Sequence, residues 1–267
     1  MIDVFLHLPK TGGTSVRTAL RWVYGWRGVY TTQTSVEHPG KIAQDLGDEG
    51  RTQLVRGHLT YGLHQYVESD CRYFTLVRDP VSRVISLYYY IRRGWPESKA
   101  ASMSLEEYVR SDHHAYVFND QVRRLAGPPY SNDPMDPALL ERAIGHLGER
   151  IIPGVTEHFD ESLVLFYCRL GWSRFPFYVR AKTGRDRPSK EDIDPNVREL
   201  IEQQNELDLK MYNHVTQQFE GSISSENNFG GKFERFRRRQ NMFSKVNYPL
   251  MKAYQYVSSL VQKNLCK

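Results

Sequence analysis

The chain has 267 residues, 40% of them hydrophobic and 25% charged, with a formal net charge of +5. That is enough apolar material for one large domain with a full core, and no apolar run is long enough to span a bilayer. Cys71, Cys168 and Cys266 stand far apart without C-x-x-C spacing, which excludes a cysteine-rich metal module; they read as reduced thiols, two of them buried, in a reducing compartment.

The first element is a short apolar run, Val4-Phe5-Leu6-His7-Leu8, which reads as a buried strand. Pro9-Lys10-Thr11-Gly12-Gly13-Thr14-Ser15 follows, and from Val16 to Tyr24 the apolar residues recur at helical spacing. A strand that turns through paired glycines into a helix gathers unpaired backbone N–H groups and the positive end of the helix dipole around one small volume. Such a volume suits a phosphate or a sulfate. Gly12 and Gly13 let the backbone approach a ligand, Thr14 and Ser15 add hydroxyl donors, and Lys10 adds a full positive charge. The lysine precedes the glycines, whereas in the nucleotide triphosphatase loop it follows them.

This order of residues after a hydrophobic strand resembles the 5′-phosphosulfate loop of sulfotransferases that use 3′-phosphoadenosine 5′-phosphosulfate (PAPS), within them the carbohydrate branch of heparan sulfate 2-O- and 6-O-sulfotransferases. The resemblance implies an α/β, P-loop sulfotransferase-like three-layer fold with a central parallel sheet flanked by helices. It also implies PAPS as donor, with Lys10, Thr11, Gly12, Gly13, Thr14 and Ser15 around its 5′-phosphosulfate and adenosine 3′,5′-bisphosphate as product. Golgi members of that family carry a membrane anchor; the sequence shows no leader or anchor, so a cytoplasmic enzyme is expected.

Residues 25–50 read as a connection across one face, with a short helix around Ile42 to Leu46. Leu54-Val55-Arg56 is a second strand, followed at once by Gly57-His58, and Tyr73 to Val77 is a third, ending at Arg78-Asp79-Pro80. Pro80 suits a first helical turn, and Val81, Val84, Ile85, Tyr88 and Tyr89 mark the apolar face of the helix behind it. Strand, turn and helix in succession are the pattern of a parallel sheet that collects ligand groups at its strand C-termini. Arg78 and Ser86, eight residues apart, can converge on one anion, and the segment Arg78 to Tyr88 resembles the element that holds the 3′-phosphate in the same family.

An acceptor hydroxyl must lose a proton as it attacks, and a neutral histidine suits that work near neutral pH. The candidates are His7, His58, His64, His113 and His114. His58 stands at a strand end, and Arg56-Gly57-His58 resembles the Gly-His element that supplies the base in the 6-O branch; His7, inside the first strand, reads as a buried residue. Adjacent His113 and His114 have poor ligand spacing, and no metal site is expected.

Ser104-Leu105-Glu106-Glu107 is a capping box. Helices are expected over 116–125 and 137–147, a fourth strand over 151–155, a helix over 161–170, and two linked helices from Pro195 to Phe219. Asn119, Gln121 and Arg123 could face an acceptor sugar, since amides and guanidinium match hydroxyls and carboxylates. Lys182, Arg185 and Arg187 lie in a late basic loop, which in related enzymes folds over the nucleotide. Residues 1–220 read as the sulfotransferase domain, 221–231 as a linker, and 232–267 as a basic amphipathic extension. From Lys232 onward nine lysines and arginines face Glu234 alone, interleaved with aromatics. The extension reads as a segment docked on the body or on a second copy in a homodimer, with contact to an anionic membrane surface as the alternative; nucleic acid is not expected.

The expected function is therefore transfer of a sulfuryl group from PAPS to a hydroxyl, on a carbohydrate by resemblance, with His58 as base and Lys10 at the leaving oxygen. A small-molecule kinase with an unusual phosphate loop and a non-enzymatic polyanion-binding protein are the competing readings.

Overall fold

The computed structural model describes residues 1–25, 28–32, 38–46, 52–111, 117–128, 133–179 and 187–244. In chain order the elements are β1 (Ile2–Leu6), α1 (Gly13–Tyr24), β2 (Val29–Thr31), α2 (Pro39–Leu46), β3 (Leu54–Gly57), β4 (Cys71–Val77), α3 (Pro80–Gly94), α4 (Lys99–Ser102) and α5 (Leu105–Arg110). There follow α6 (Asp120–Ala126), α7 (Pro137–Glu149), β5 (Ile151–Val155), α8 (Phe159–Arg169), α9 (Pro195–Gln204), α10 (Glu206–Ser224) and a last helix, α11, over 229–244.

Among the described residues five strands form one all-parallel sheet in the order β2-β3-β1-β4-β5, flanked by helices, as the sequence led us to expect. Every residue of β1 and β3 is buried, Asp3 and Arg56 included, which is why neither reads as an alternating pattern. The edge strand β2 has only three half-buried residues, too few for a periodic signal, and it falls within the stretch read as a connection. From β1 the chain crosses over β3 to β2, returns to β3, then passes to the other side of β1 to form β4. The strand order thus reverses between β1 and β4, and a crevice opens beyond their C-terminal ends.

Leu6 pairs with Gly57 of β3 and with Thr75 of β4, so these strands end nearly level and their following loops meet. Thr156, just after β5, donates from Oγ1 to the carbonyls of Val77 (2.8 Å) and Thr11 (3.1 Å), which ties the first loop to the end of β4. Pro80 opens α3 and Asp79 caps it, its carboxylate accepting from Ser82 N at 2.8 Å. The predicted capping box at Ser104 and Glu107 is formed.

The segment expected as a linker is instead helical at both ends. α10 continues to Ser224, and α11 starts after a short turn. Phe229 and Phe236 of α11 are buried in the main core and Phe233 packs against it, a stripe at helical spacing that burial converts into docking. Cys71 and Cys168 are free thiols and only half-buried, a correction to the expectation of two buried cysteines. Cys266 and the rest of 245–267 lie outside the described residues.

Candidate active site

The loop after β1 has the geometry its residues imply. Gly12 caps α1 at φ 87°, and no side chain caps the helix in its place. Lys10 itself has φ 70°, a left-handed conformation unusual for a residue with a side chain. Thr11 is buried, and its hydroxyl donates to Leu8 O at 2.9 Å, so it shapes the turn from beneath. A side chain at Gly13 would have to displace the His7 ring, because a Cβ there would lie 1.7 Å from His7 Nε2. The first-turn N–H groups of α1 therefore face the crevice with the helix dipole behind them. Above them the Lys10 ammonium sits 3.9 Å from the centre of the Tyr90 ring.

Arg78 leaves the end of β4 and reaches back, donating from Nη1 to Lys10 O at 2.9 Å. Its Nε is buried without a hydrogen-bond partner, and Glu157 approaches only to 3.9 Å. The guanidinium thus keeps a donor that no protein acceptor satisfies. Burial, and then the neighbouring Arg187, hold its pKa down to about 10, so it remains charged at neutral pH. The backbone of Arg78 is clamped by one side chain. Gln121 accepts from Arg78 N and donates to Arg78 O, both at 2.9 Å, in the manner of a neighbouring strand.

His58 follows Gly57 at the end of β3. Gly57 has φ 150°, and a Cβ there would meet Thr32 Oγ1 at 1.9 Å. The His58 Nδ1 lies 2.9 Å from the carbonyl oxygen of His7. A carbonyl can only accept, so Nδ1 carries the hydrogen and Nε2 is left with its lone pair. Burial lowers the His58 pKa, Arg124 lowers it further, and the His7 carbonyl and Asp120 act the other way. The imidazole is consequently neutral at pH 7, as a base must be.

These parts line one cavity of about 460 Å³, a volume suited to a small-molecule ligand. Of the residues anticipated for the site, Lys10, Gly12, Gly13, Thr14, Ser15, His58, Arg78, Ser86 and Arg187 line it. Lys182 and Arg185 lie outside the described residues, as do His113 and His114.

The expected acceptor contacts need correction. Asn119 and Gln121 are fully buried with their side chains engaged, Gln121 on Arg78 and Asn119 on Pro134 O (2.9 Å) and Asp208 N (3.0 Å). Asp208 in turn caps α6, accepting from Val122 N at 2.8 Å, and buried Arg83 of α3 lies between Asp120 and Asp208 at 3.8 and 3.7 Å. The junction joins α3, α6 and α10 and holds Arg78 from behind. Arg123, half-buried on the same helix, is not among the side chains lining the cavity.

Tyr90, Thr156, Phe159 and Tyr178 line the cavity without having been anticipated, and so does His7, which the sequence reading set aside as a strand residue. Tyr90 is one helical turn beyond Ser86, and Thr156 stands at a parallel strand's C-terminal end, so both were within reach of spacing arguments. Tyr178 carries no local signal. It is placed by Gln240 of α11, which accepts from its N at 3.2 Å and donates to its O at 2.7 Å.

Human galactose-3-O-sulfotransferase 2 is 24% identical over 75% of this chain and 54% of its own length. The pig galactose-3-O-sulfotransferase 2 is 25% identical, covering 68% and 49%, and mouse galactose-3-O-sulfotransferase 3 is 22% identical, covering 82% and 56%. The chain thus spans about half the length of the curated relatives it matches. Within the carbohydrate branch the match shown is to galactose-3-O-sulfotransferases; a likeness to the heparan sulfate enzymes in particular is not shown. The relatives are Golgi-type carbohydrate sulfotransferases, which overturns the expectation of a cytoplasmic enzyme. No described helix is long and apolar enough to cross a membrane. The sequence model for galactose-3-O-sulfotransferase matches residues 36–246, a span that begins after the glycine loop and holds His58, Arg78 and Ser86, and with more than three quarters of its length matched the chain belongs to that family.

Proposed function

We propose that the protein is a carbohydrate sulfotransferase that moves a sulfuryl group from PAPS to a sugar hydroxyl. The observation that carries this reading is the shared cavity, lined by a helix N-terminus with Lys10, by Arg78 and Ser86, and by a neutral imidazole. A donor with phosphates at both the 5′ and 3′ positions needs two anion sites held at fixed separation, and the unfilled Nε of Arg78 suits one of them. The amides of residues 12–15 and Lys10 suit the other. The donor supplies an activated sulfuryl group, and the chain supplies position and charge. Lys10 places its ammonium where charge develops on the departing phosphate, and this interaction strengthens toward the transition state. His58 Nε2 takes the proton of the attacking hydroxyl, with Nδ1–H anchored on the His7 carbonyl. The relatives' names make the 3-hydroxyl of galactose the first acceptor to test.

The test is transfer of labelled sulfate from PAPS to a panel of galactosides, with binding of adenosine 3′,5′-bisphosphate measured separately. We expect transfer by the wild type, and we expect His58→Ala to bind the nucleotide normally while turnover falls by on the order of 10²–10⁴-fold. Substantial turnover by His58→Ala would remove this residue from the mechanism.

A further inference from the structure

The mechanism uses His58 but leaves the second imidazole in the cavity, His7, without a role. His7 is the third member of a stack that starts in the core. Phe74 lies 5.1 Å from Phe5, Phe5 stacks on His7 at 5.9 Å and 16°, and His7 stacks on His58 at 4.3 Å and 22°. Phe5, on β1, pairs in register with Phe74 of β4, and both rings are buried, so the base of the stack cannot shift without disturbing the sheet. From the loop side, Gly13 closes on His7 so tightly that no side chain fits between them. One residue therefore holds His58 twice, by its carbonyl on Nδ1 and by its ring on the face of the imidazole.

We propose that His7 is the positioning residue of the base, fixing both the ring plane and the tautomer of His58. This deepens the sulfotransferase reading and rests on it. The ring matters because the carbonyl alone leaves the imidazole able to rock about its hydrogen bond, and a rocking ring spoils the line from Nε2 to the attacking hydroxyl. The ring must also stay neutral, since a second positive charge stacked on His58 would oppose its protonation. The surroundings ensure that it does. Burial first, then His58, Arg56 of β3, Arg124 of α6 and Arg17 of α1 all lower the His7 pKa well below its ordinary 6.5. The groups around His58 are Arg124 and Asp120 of α6 together with His7 itself. The proton abstracted from the acceptor thus has one place to reside, on His58 Nε2, over the face of a neutral aromatic ring.

Two variants that keep the cavity filled test this. His7→Phe retains a flat ring and the carbonyl, while His7→Leu retains bulk and carbonyl but not the flat ring. With saturating donor, His7→Leu should lose kcat by on the order of a hundredfold at unchanged donor KM, and His7→Phe should recover most of it. Imidazole nitrogen chemical shifts and relaxation provide a readout independent of activity. His58 should stay protonated at Nδ1 in all three proteins, which keep the residue-7 carbonyl, while its ring nitrogens should show added motion in nitrogen relaxation only in His7→Leu. Equal kcat in all three proteins, or a His58 ring as ordered in His7→Leu as in the wild type, would overturn the proposal. A wild type that neither binds the nucleotide nor transfers sulfate would instead sink the functional reading, and the nitrogen relaxation of His58 would still decide the role of His7.

Discussion

At the scale of single residues, what could be read in advance was chemistry, and what could not was which neighbour each group would meet. Lys10, Arg78, Ser86 and His58 were legible because each stands at a strand end or one to two helical turns beyond it, where parallel sheets collect ligand groups. Asn119 and Gln121 have equally suitable side chains, yet both are buried and engaged, because α6 packs behind the cavity rather than over it. His7 was misjudged in the opposite direction: the strand stops at Leu6, so His7 is half-buried in the cavity wall. Its low pKa has a consequence for stability. The unfolded chain takes up protons on His7 and His58 near 6.5, whereas the folded chain resists them, so between those values the unfolded state binds more protons and stability rises with pH. We therefore expect the melting temperature to fall as pH drops below about 6.5, and to fall less in His7→Phe. A dependence of opposite sign would mean that the pair gains rather than resists protons on folding.

Elements were legible where periodicity or caps were strong. α1, α3, α5 and α7 follow from spacing, proline and capping residues, whereas the three-residue β2 and the continuation of α10 into a second docked helix do not. The Gly, Ser and Asn run at 221–231 imitates a linker, and only the burial of Phe229 and Phe236 shows that the chain folds back. Two glutamines join these elements to the cavity by the same device, Gln121 on the backbone of Arg78 and Gln240 on that of Tyr178. Gln121→Leu would leave the N–H and C=O of Arg78 unpaired in the interior. Destabilisation by about 2–4 kcal/mol is expected in denaturant titration, with weaker nucleotide binding in the protein that remains folded. For α11, Phe236→Ala should cost about 3–5 kcal/mol if the helix is part of the core. Unchanged stability in that variant would return α11 to the status of an appendage.

Over the whole molecule, the reversal of strand order around β1 brings the glycine loop and Arg78 together, although 68 residues separate Lys10 from Arg78. The fold class was readable from repeated strand-turn-helix units; the strand order and the buried junction of α3, α6 and α10 were not, since both depend on pairings remote in sequence. One cavity is expected to hold both phosphates of an adenosine bisphosphate, and a crystal structure of the protein with adenosine 3′,5′-bisphosphate would show whether it does. The 5′-phosphate should lie on the amides of residues 12–15 beside Lys10, and the 3′-phosphate on Arg78 and Ser86. A nucleotide bound with either phosphate away from these residues would contradict the claim.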